Sequence, residues 1–251
     1  MKFMRSATRT SISAVAIALA SLGGASTTMA EQAAMTSTAP MPLDINYLLY
    51  TPDSFENSEK EFPLVVWLHG GNQGGSDVDK VRESGLPSLI EQGKSFPFVV
   101  FSPQNPSEKL LYPIERIKAA LDEVVASNRI DESRIYLMGY SRGAFGAWAM
   151  ASQFPDTFAA VVPIAGGGTR HYLNRTNENT AFWAFHSTDD DVIPLSDTVT
   201  LVQRLRELDR NVRVTVFEGV THKGVEMKAL EDPELWGWLE RQQLIQPETT
   251  E

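Results

Sequence analysis

Three features of this chain have the residue types and spacing for acyl-transfer chemistry: a serine between glycines, a late histidine and a run of aspartates. Ser141 is the centre of GYSRG at residues 139–143, a G-x-S-x-G pattern. A serine hydroxyl is a weak nucleophile and needs a base, an orienting acid and donors for the oxyanion that forms when it attacks a carbonyl. The flanking segments suit a nucleophile elbow. RIYLMGY (134–140) reads as a strand and residues 144–154 as a helix, so the serine falls on a sharp strand-to-helix turn with glycines where a side chain would collide. The competing reading is a serine that only caps an ordinary helix.

One oxyanion donor is expected from the backbone N–H of Arg142, the residue after the serine, at a helix N-terminus. The second is expected from LHGGNQGGSD (68–77), at the N–H of Gly71 or its neighbour Gly70. A phosphate loop is excluded because no G-K-[ST] follows these glycines. His69 reads as a brace for this loop, not as a base.

The base and acid follow from chain order. The histidines are His69, His171, His186 and His222, and only His222 lies well beyond a candidate acid. It falls in EGVTHKG, read as a flexible glycine-bearing loop after the last strand. The acid is expected in HSTDDDVIP (186–194), where Asp189, Asp190 and Asp191 compete. A useful acid must accept a hydrogen bond from one ring N–H of His222, fixing its tautomer and stabilising the imidazolium. Three adjacent carboxylates cannot all point inward. Spacing leaves the choice open, and the other two are expected in solvent or on nearby backbone N–H groups.

The elements that must position these groups alternate. Strands are expected at 43–50, 63–69, 97–102, 134–140, 159–166, 181–187 and 212–219. Helices are expected at 76–92, 114–127, 144–154, 197–208 and 233–244, with 76–92 and 170–180 also readable as loops lining a site. The strands are continuous apolar runs, as in sheets covered on both faces. The pattern predicts an α/β fold with a mostly parallel sheet, helices on both faces and no large cap domain.

The first 30 residues are not expected in that fold. Lys2, Arg5 and Arg9 precede an apolar run at 11–24, followed by STTMA with small Thr28 and Ala30. This reads as a secretory signal peptide cleaved after Ala30, with residues 31–42 a linker, 43–245 the catalytic domain and 246–251 a tail. The run is short for a bilayer span, and no cysteine follows it to carry a lipid, so no stable membrane anchor is expected. Removing the leader takes three basic residues and no acidic one, so the formal charge goes from −10 to −13. Such a charge repels phosphate backbones and argues against a nucleic-acid partner. The absence of cysteine excludes disulfides, thiolate metal sites and a cysteine nucleophile.

Taken with PLVVWLHGG, RIDESRIYLMGYSRGAFGAWAMASQFPDTFAAVVPIAGG, FHSTDDDVIP and THKG, residues 43–240 resemble the α/β-hydrolases. More narrowly, they resemble exported predicted peptidases, feruloyl- or polyhydroxybutyrate-type esterases and phospholipase/carboxylesterases. The resemblance implies Asp190 as the acid, by alignment with the family's H-G-x-x-D-x-x-V-P stretch. It implies a periplasmic or secreted serine hydrolase that cleaves small-molecule or oligomeric carboxylic esters without a cofactor or metal. A peptidase of the same fold, or a binding protein on a hydrolase scaffold, are the alternatives. The chain departs from the pattern at Ser187, where glycine is common, and at Arg142, where an uncharged residue is common. The aromatic residue often found after the catalytic histidine is missing, and the stretch from Ser102 to Ile114 is short. The Arg142 side chain is expected to pair with a surface acid, with an anionic substrate group as the alternative.

Overall fold

The structure, a computed structural model, describes residues 44–245. The expected signal peptide, the linker and the C-terminal tail lie outside the described residues. Seven strands form one sheet: β1 (Tyr47–Tyr50), β2 (Phe62–Leu68), β3 (Val99–Pro103), β4 (Ile130–Tyr140), β5 (Ala160–Ile164), β6 (Ala181–Ser187) and β7 (Val212–Phe217). Their order is β1-β3-β2-β4-β5-β6-β7. β1 pairs antiparallel with β3, and every other pair is parallel. This is the α/β-hydrolase fold, with the mainly parallel sheet that the alternating segments predict.

Along each central strand the side chains alternate between two cores. Leu64, Val66 and Leu68 of β2 and Leu137 of β4 face one layer, with Ile117 and Leu121 of α2 (Ile114–Ser127), Ala147 and Trp148 of α3 (Arg142–Gln153) and Leu201 and Leu205 of α4 (Leu195–Glu207). Val65, Trp67, Tyr136 and Met138 face the other, with Leu86 of α1 (Gly85–Glu91), Val225 and Ala229 of α5 (His222–Leu230) and Leu235 and Leu239 of α6 (Leu235–Glu240). Burial on both faces is why these strands read as unbroken apolar runs. Each fully buried large aliphatic side chain contributes roughly 1.5–3 kcal/mol.

Two stretches differ from the sequence expectation. The helix expected at 76–92 is split into a 3-10 turn at Val78–Glu83 and the short α1. Gly85 makes the break, with φ +61 and the Trp67 indole so close that a Cβ there would meet it at 2.1 Å. The segment read as a flexible loop around His222 is instead the start of α5. Its inward positions, His222, Val225, Glu226, Ala229 and Leu230, follow helical spacing. Gly224 and the flanking lysines masked that periodicity. Among the described residues no helix is long and apolar enough to cross a membrane.

Candidate active site

The parallel strands all end at one edge of the sheet, where α/β proteins build sites from the loops that follow. Ser141 follows β4 directly and has φ 53, ψ −117, a conformation that non-glycine residues rarely hold. The elbow is held from both sides. A Cβ on Gly143 would lie 1.9 Å from the Leu68 carbonyl oxygen, and one on Gly139 would lie 2.2 Å from that of Gly143. These approaches let α3 start tight against the end of β2. The Ser141 N–H donates to the Ile164 carbonyl at 2.8 Å, so the turn is tied to β5 as well.

His222, the first residue of α5, spans the gap between serine and acid. Its Nε2 lies 2.9 Å from Ser141 Oγ and its Nδ1 lies 2.8 Å from Asp190 Oδ2. Asp190 is an acceptor, so Nδ1 carries the hydrogen and Nε2 is left to accept from the serine hydroxyl. The His222 residue is 8% exposed and the Asp190 side chain fully buried. Burial alone would raise the Asp190 pKa. Hydrogen bonds from His222 and from the Ile193 and Val192 N–H groups outweigh it and hold the carboxyl below its ordinary range.

Each neighbouring aspartate has its own backbone partner. Asp189 accepts from the Gly219 N–H at 2.7 Å and from Thr188 Oγ1, and these bonds, the Thr188 hydroxyl first, lower its pKa. Asp191 accepts from the His222 N–H at 3.2 Å. The three consecutive carboxylates therefore fasten the loop before His222, the histidine ring and the histidine backbone.

The loop after β2 is the one expected to supply an oxyanion donor. His69 is fully buried. Its Nε2 accepts from the Asn105 N–H at 3.0 Å, an obligate donor, so its Nδ1 carries the hydrogen and donates to the Gly70 carbonyl at 2.6 Å. Gly70 C=O and Gly71 N–H belong to one trans peptide and point in opposite directions. The imidazole thus turns the Gly71 N–H away from itself. Burial pushes the His69 pKa down to about 4, the Gly70 hydrogen bond opposing and the Arg142 charge assisting. This is the loop brace the sequence suggests. Tyr112 adds to it by donating to the His69 carbonyl at 3.0 Å.

The Arg142 side chain meets backbone carbonyls where a surface acid is the expected partner. Its Nη1 donates to the Glu108 carbonyl at 2.8 Å and to that of Ser107 at 3.3 Å, and its Nη2 lies 3.0 Å from where a Gly71 Cβ would stand. The guanidinium clamps the loop after β3 over the glycine loop, so a side chain at Gly71 would crowd it.

Two further residues at the site carry no motif signal. Tyr140 stacks on the His222 ring at a centroid distance of 5.1 Å and donates to the His222 carbonyl at 3.2 Å. Burial raises its pKa, with the Glu226, Asp190 and Asp191 charges adding, so it remains a neutral donor. Glu226, one turn after His222, is buried with Oε1 unpartnered. Burial pushes it up to about 7 against an opposing hydrogen bond from Gly85. Position beside the motif residues is the one signal the sequence offers for either. Among the described residues no group of three or more histidine, aspartate or glutamate side chains is arranged to hold a metal.

The fold and the serine–histidine–aspartate line define an α/β-hydrolase. Residues 104–229 match the Dienelactone hydrolase family, half of the chain, and the protein belongs to that family. It is 37% identical over 136 residues to poly(3-hydroxyalkanoate) depolymerase C of Paucimonas lemoignei, a match covering 48% of this chain and 31% of that one. It is 25% identical over 146 residues to feruloyl esterase B of Neurospora crassa, covering 53% of this chain and 47% of that one. The matches thus span about a third to a half of these relatives. Among solved structures, a thermostable esterase superposes with a TM-score of 0.68 at 29% identity, covering 79% of this chain and 59% of that one.

Proposed function

We propose that this protein is an exported serine hydrolase that cleaves carboxylic esters through an acyl-enzyme. The observation that carries the reading is the continuous Asp190–His222–Ser141 hydrogen-bonded line, at 2.8 and 2.9 Å, on a strained elbow. His222 Nε2 takes the proton as Ser141 Oγ attacks the ester carbonyl. The Asp190 carboxylate stabilises the imidazolium that results. The Arg142 and Gly71 N–H groups receive the oxyanion; the first is free of any intrahelical acceptor at the start of α3, the second is turned by His69. Collapse of the tetrahedral intermediate breaks the bond to the alcohol, which leaves with the proton from His222. Water then repeats the sequence on the acyl-serine. Support for esters comes from the family and from relatives named as esterases and a polyester depolymerase. Export rests on the leader at 1–30.

The test is hydrolysis of p-nitrophenyl acetate and butyrate by protein recovered from the periplasm or medium, beside Ser141→Ala, with a fluorophosphonate as a serine-directed probe. Turnover and labelling that both vanish in the variant support the reading. Labelling that survives in Ser141→Ala sinks it. An intact mass that begins at Glu31 supports export, and a retained leader removes that part.

A further inference from the structure

The acid has more hydrogen-bond donors than a serine–histidine–aspartate line requires. Asp190 Oδ1 accepts from the Ile193 N–H at 2.8 Å and the Val192 N–H at 3.0 Å. Its Oδ2 accepts from His222, and 3.3 Å away on the other side lies Nε2 of a second histidine, His186. Three of the roughly four lone-pair sites of the carboxylate thus have a hydrogen-bond donor, and His186 packs against the fourth side. His186 Nε2 also faces the Ile193 carbonyl at 3.0 Å. Both of its neighbours are acceptors, so this nitrogen carries a hydrogen whichever form the ring takes.

The other ring nitrogen continues the connection. His186 Nδ1 lies 2.8 Å from Thr198 Oγ1, in the first turn of α4, and Thr198 Oγ1 lies 2.6 Å from the Gly166 carbonyl. His186 is fully buried and Thr198 is 1% exposed. Gly166 packs on the elbow itself: a Cβ there would stand 2.9 Å from the Ser141 carbonyl and 2.4 Å from the Ala144 Cβ. A closed circuit of contacts therefore runs from the elbow through Gly166, Thr198, His186, Asp190 and His222 back to Ser141.

We propose that His186 and Thr198 are positioning residues for Asp190, a buried bridge that fixes the carboxylate plane and ties the acid loop to the serine elbow. The inference rests on the proposed role of Asp190. Without His186, the loop 190–193 loses its tie at the Ile193 carbonyl, and the Ile193 N–H that holds Asp190 Oδ1 can shift. His222 then loses the fixed partner that holds its ring and its tautomer. The bridge touches no substrate, so its loss acts on turnover and leaves substrate affinity nearly unchanged.

Thr198→Val keeps the side-chain shape and removes the hydroxyl, and Thr198→Ser returns it. His186→Gln keeps an N–H within reach of Asp190 but cannot also hold Thr198. The readouts are kcat and KM on p-nitrophenyl butyrate and the low-field proton NMR resonance of the His222 Nδ1 hydrogen, assigned by its loss in Asp190→Asn. Thr198→Val is expected to lower kcat about tenfold, the worth of one buried hydrogen bond, with KM within about twofold. It should also move the proton resonance upfield. Thr198→Ser should recover most of the turnover and the resonance, and His186→Gln should fall between.

A folded Thr198→Val with wild-type kcat and an unmoved resonance overturns the bridge, as does a loss that serine does not repair. If the valine variant fails to fold, a His186→Gln protein with both readouts at wild-type values overturns it equally. An inactive wild type that still shows the resonance, displaced in Thr198→Val, retains the bridge and removes the esterase reading instead.

Discussion

His69 and His222 are both buried histidines at the same edge of one sheet, yet the two sides of the site use them in opposite ways. On the oxyanion side, His69 contacts a backbone N–H and a backbone carbonyl. Among the described residues no carboxylate is hydrogen-bonded to it, and burial drives its pKa to about 4. It is a fixed neutral spacer. On the acid–base side, His222 lies between a carboxylate and a hydroxyl. One partner can stabilise a positive charge on the ring and the other can give the ring a proton. Under the proposed function, the comparison means that burial alone does not make a histidine a base; the chemistry of the two atoms facing its nitrogens does.

The largest expected effect breaks the acid–base side at its centre. His222→Ala or Ser141→Ala should lower kcat by about a millionfold, the scale seen when such a unit loses its base or nucleophile. Stopped assays on p-nitrophenyl butyrate read this, with circular dichroism to check the fold. Next comes a contrast within the aspartate run. Asp190→Asn should cost about 10⁴ in kcat, because the amide favours the wrong His222 tautomer. Asp189→Asn and Asp191→Asn should each cost less than about tenfold, since neither contacts the His222 ring: Asp189 holds the Gly219 N–H and the Thr188 hydroxyl, and Asp191 the His222 N–H. Equal losses at all three positions would erase the assignment of Asp190.

The oxyanion side should respond more mildly and in a different manner. His69→Gln frees the Gly70–Gly71 peptide to rotate. Losing one oxyanion donor costs about 10²–10³ in kcat, so a kcat loss within that range is expected. The low-field His222 proton should remain in place. A displaced proton would mean that the two sides are coupled more tightly than their separate contacts indicate.

How far this arrangement was legible in the sequence follows the same division. Ser141 and the elbow were readable because strand, glycines and helix are contiguous there. His222 was readable from chain order, though not as part of α5, because Gly224 interrupts the apolar spacing. The split at Gly85 was hidden because it depends on the Trp67 indole, a neighbour 18 positions earlier in the chain. Asp190 could be chosen over its neighbours only by resemblance. The choice is made by partners such as His222, 32 residues away, and Gly219, 30 residues from Asp189. Spacing within DDD carries no trace of them. The Arg142 contacts with Ser107 and Glu108 and the stacking of Tyr140 on His222 are likewise long-range packing.

The smallest effects concern stability, and here the two sides should fail at opposite ends of the pH scale. The folded pKa of His69 lies below its unfolded value of 6.5, at about 4. Its contribution is therefore complete above pH 6.5 and is lost as pH falls from there toward 4. Glu226, on α5 beside the base, has its folded pKa raised from 4.5 to about 7 by burial. Its contribution is complete below pH 4.5 and is lost as pH rises through 7. Each shift corresponds to about 3 kcal/mol across its window. Glu226→Gln keeps the size of the side chain and cannot ionise. It should leave the melting temperature at pH 5 nearly unchanged and raise it by about 6–12 °C at pH 8, on the usual scale of 2–4 °C per kcal/mol for a domain of this size. The gain should appear between pH 5 and 7.5, and the acid-side loss attributed to His69 should persist. A variant whose melting curve parallels wild type at every pH would show that the Glu226 carboxyl is hydrated in solution. The alkaline limit would then belong to some other group.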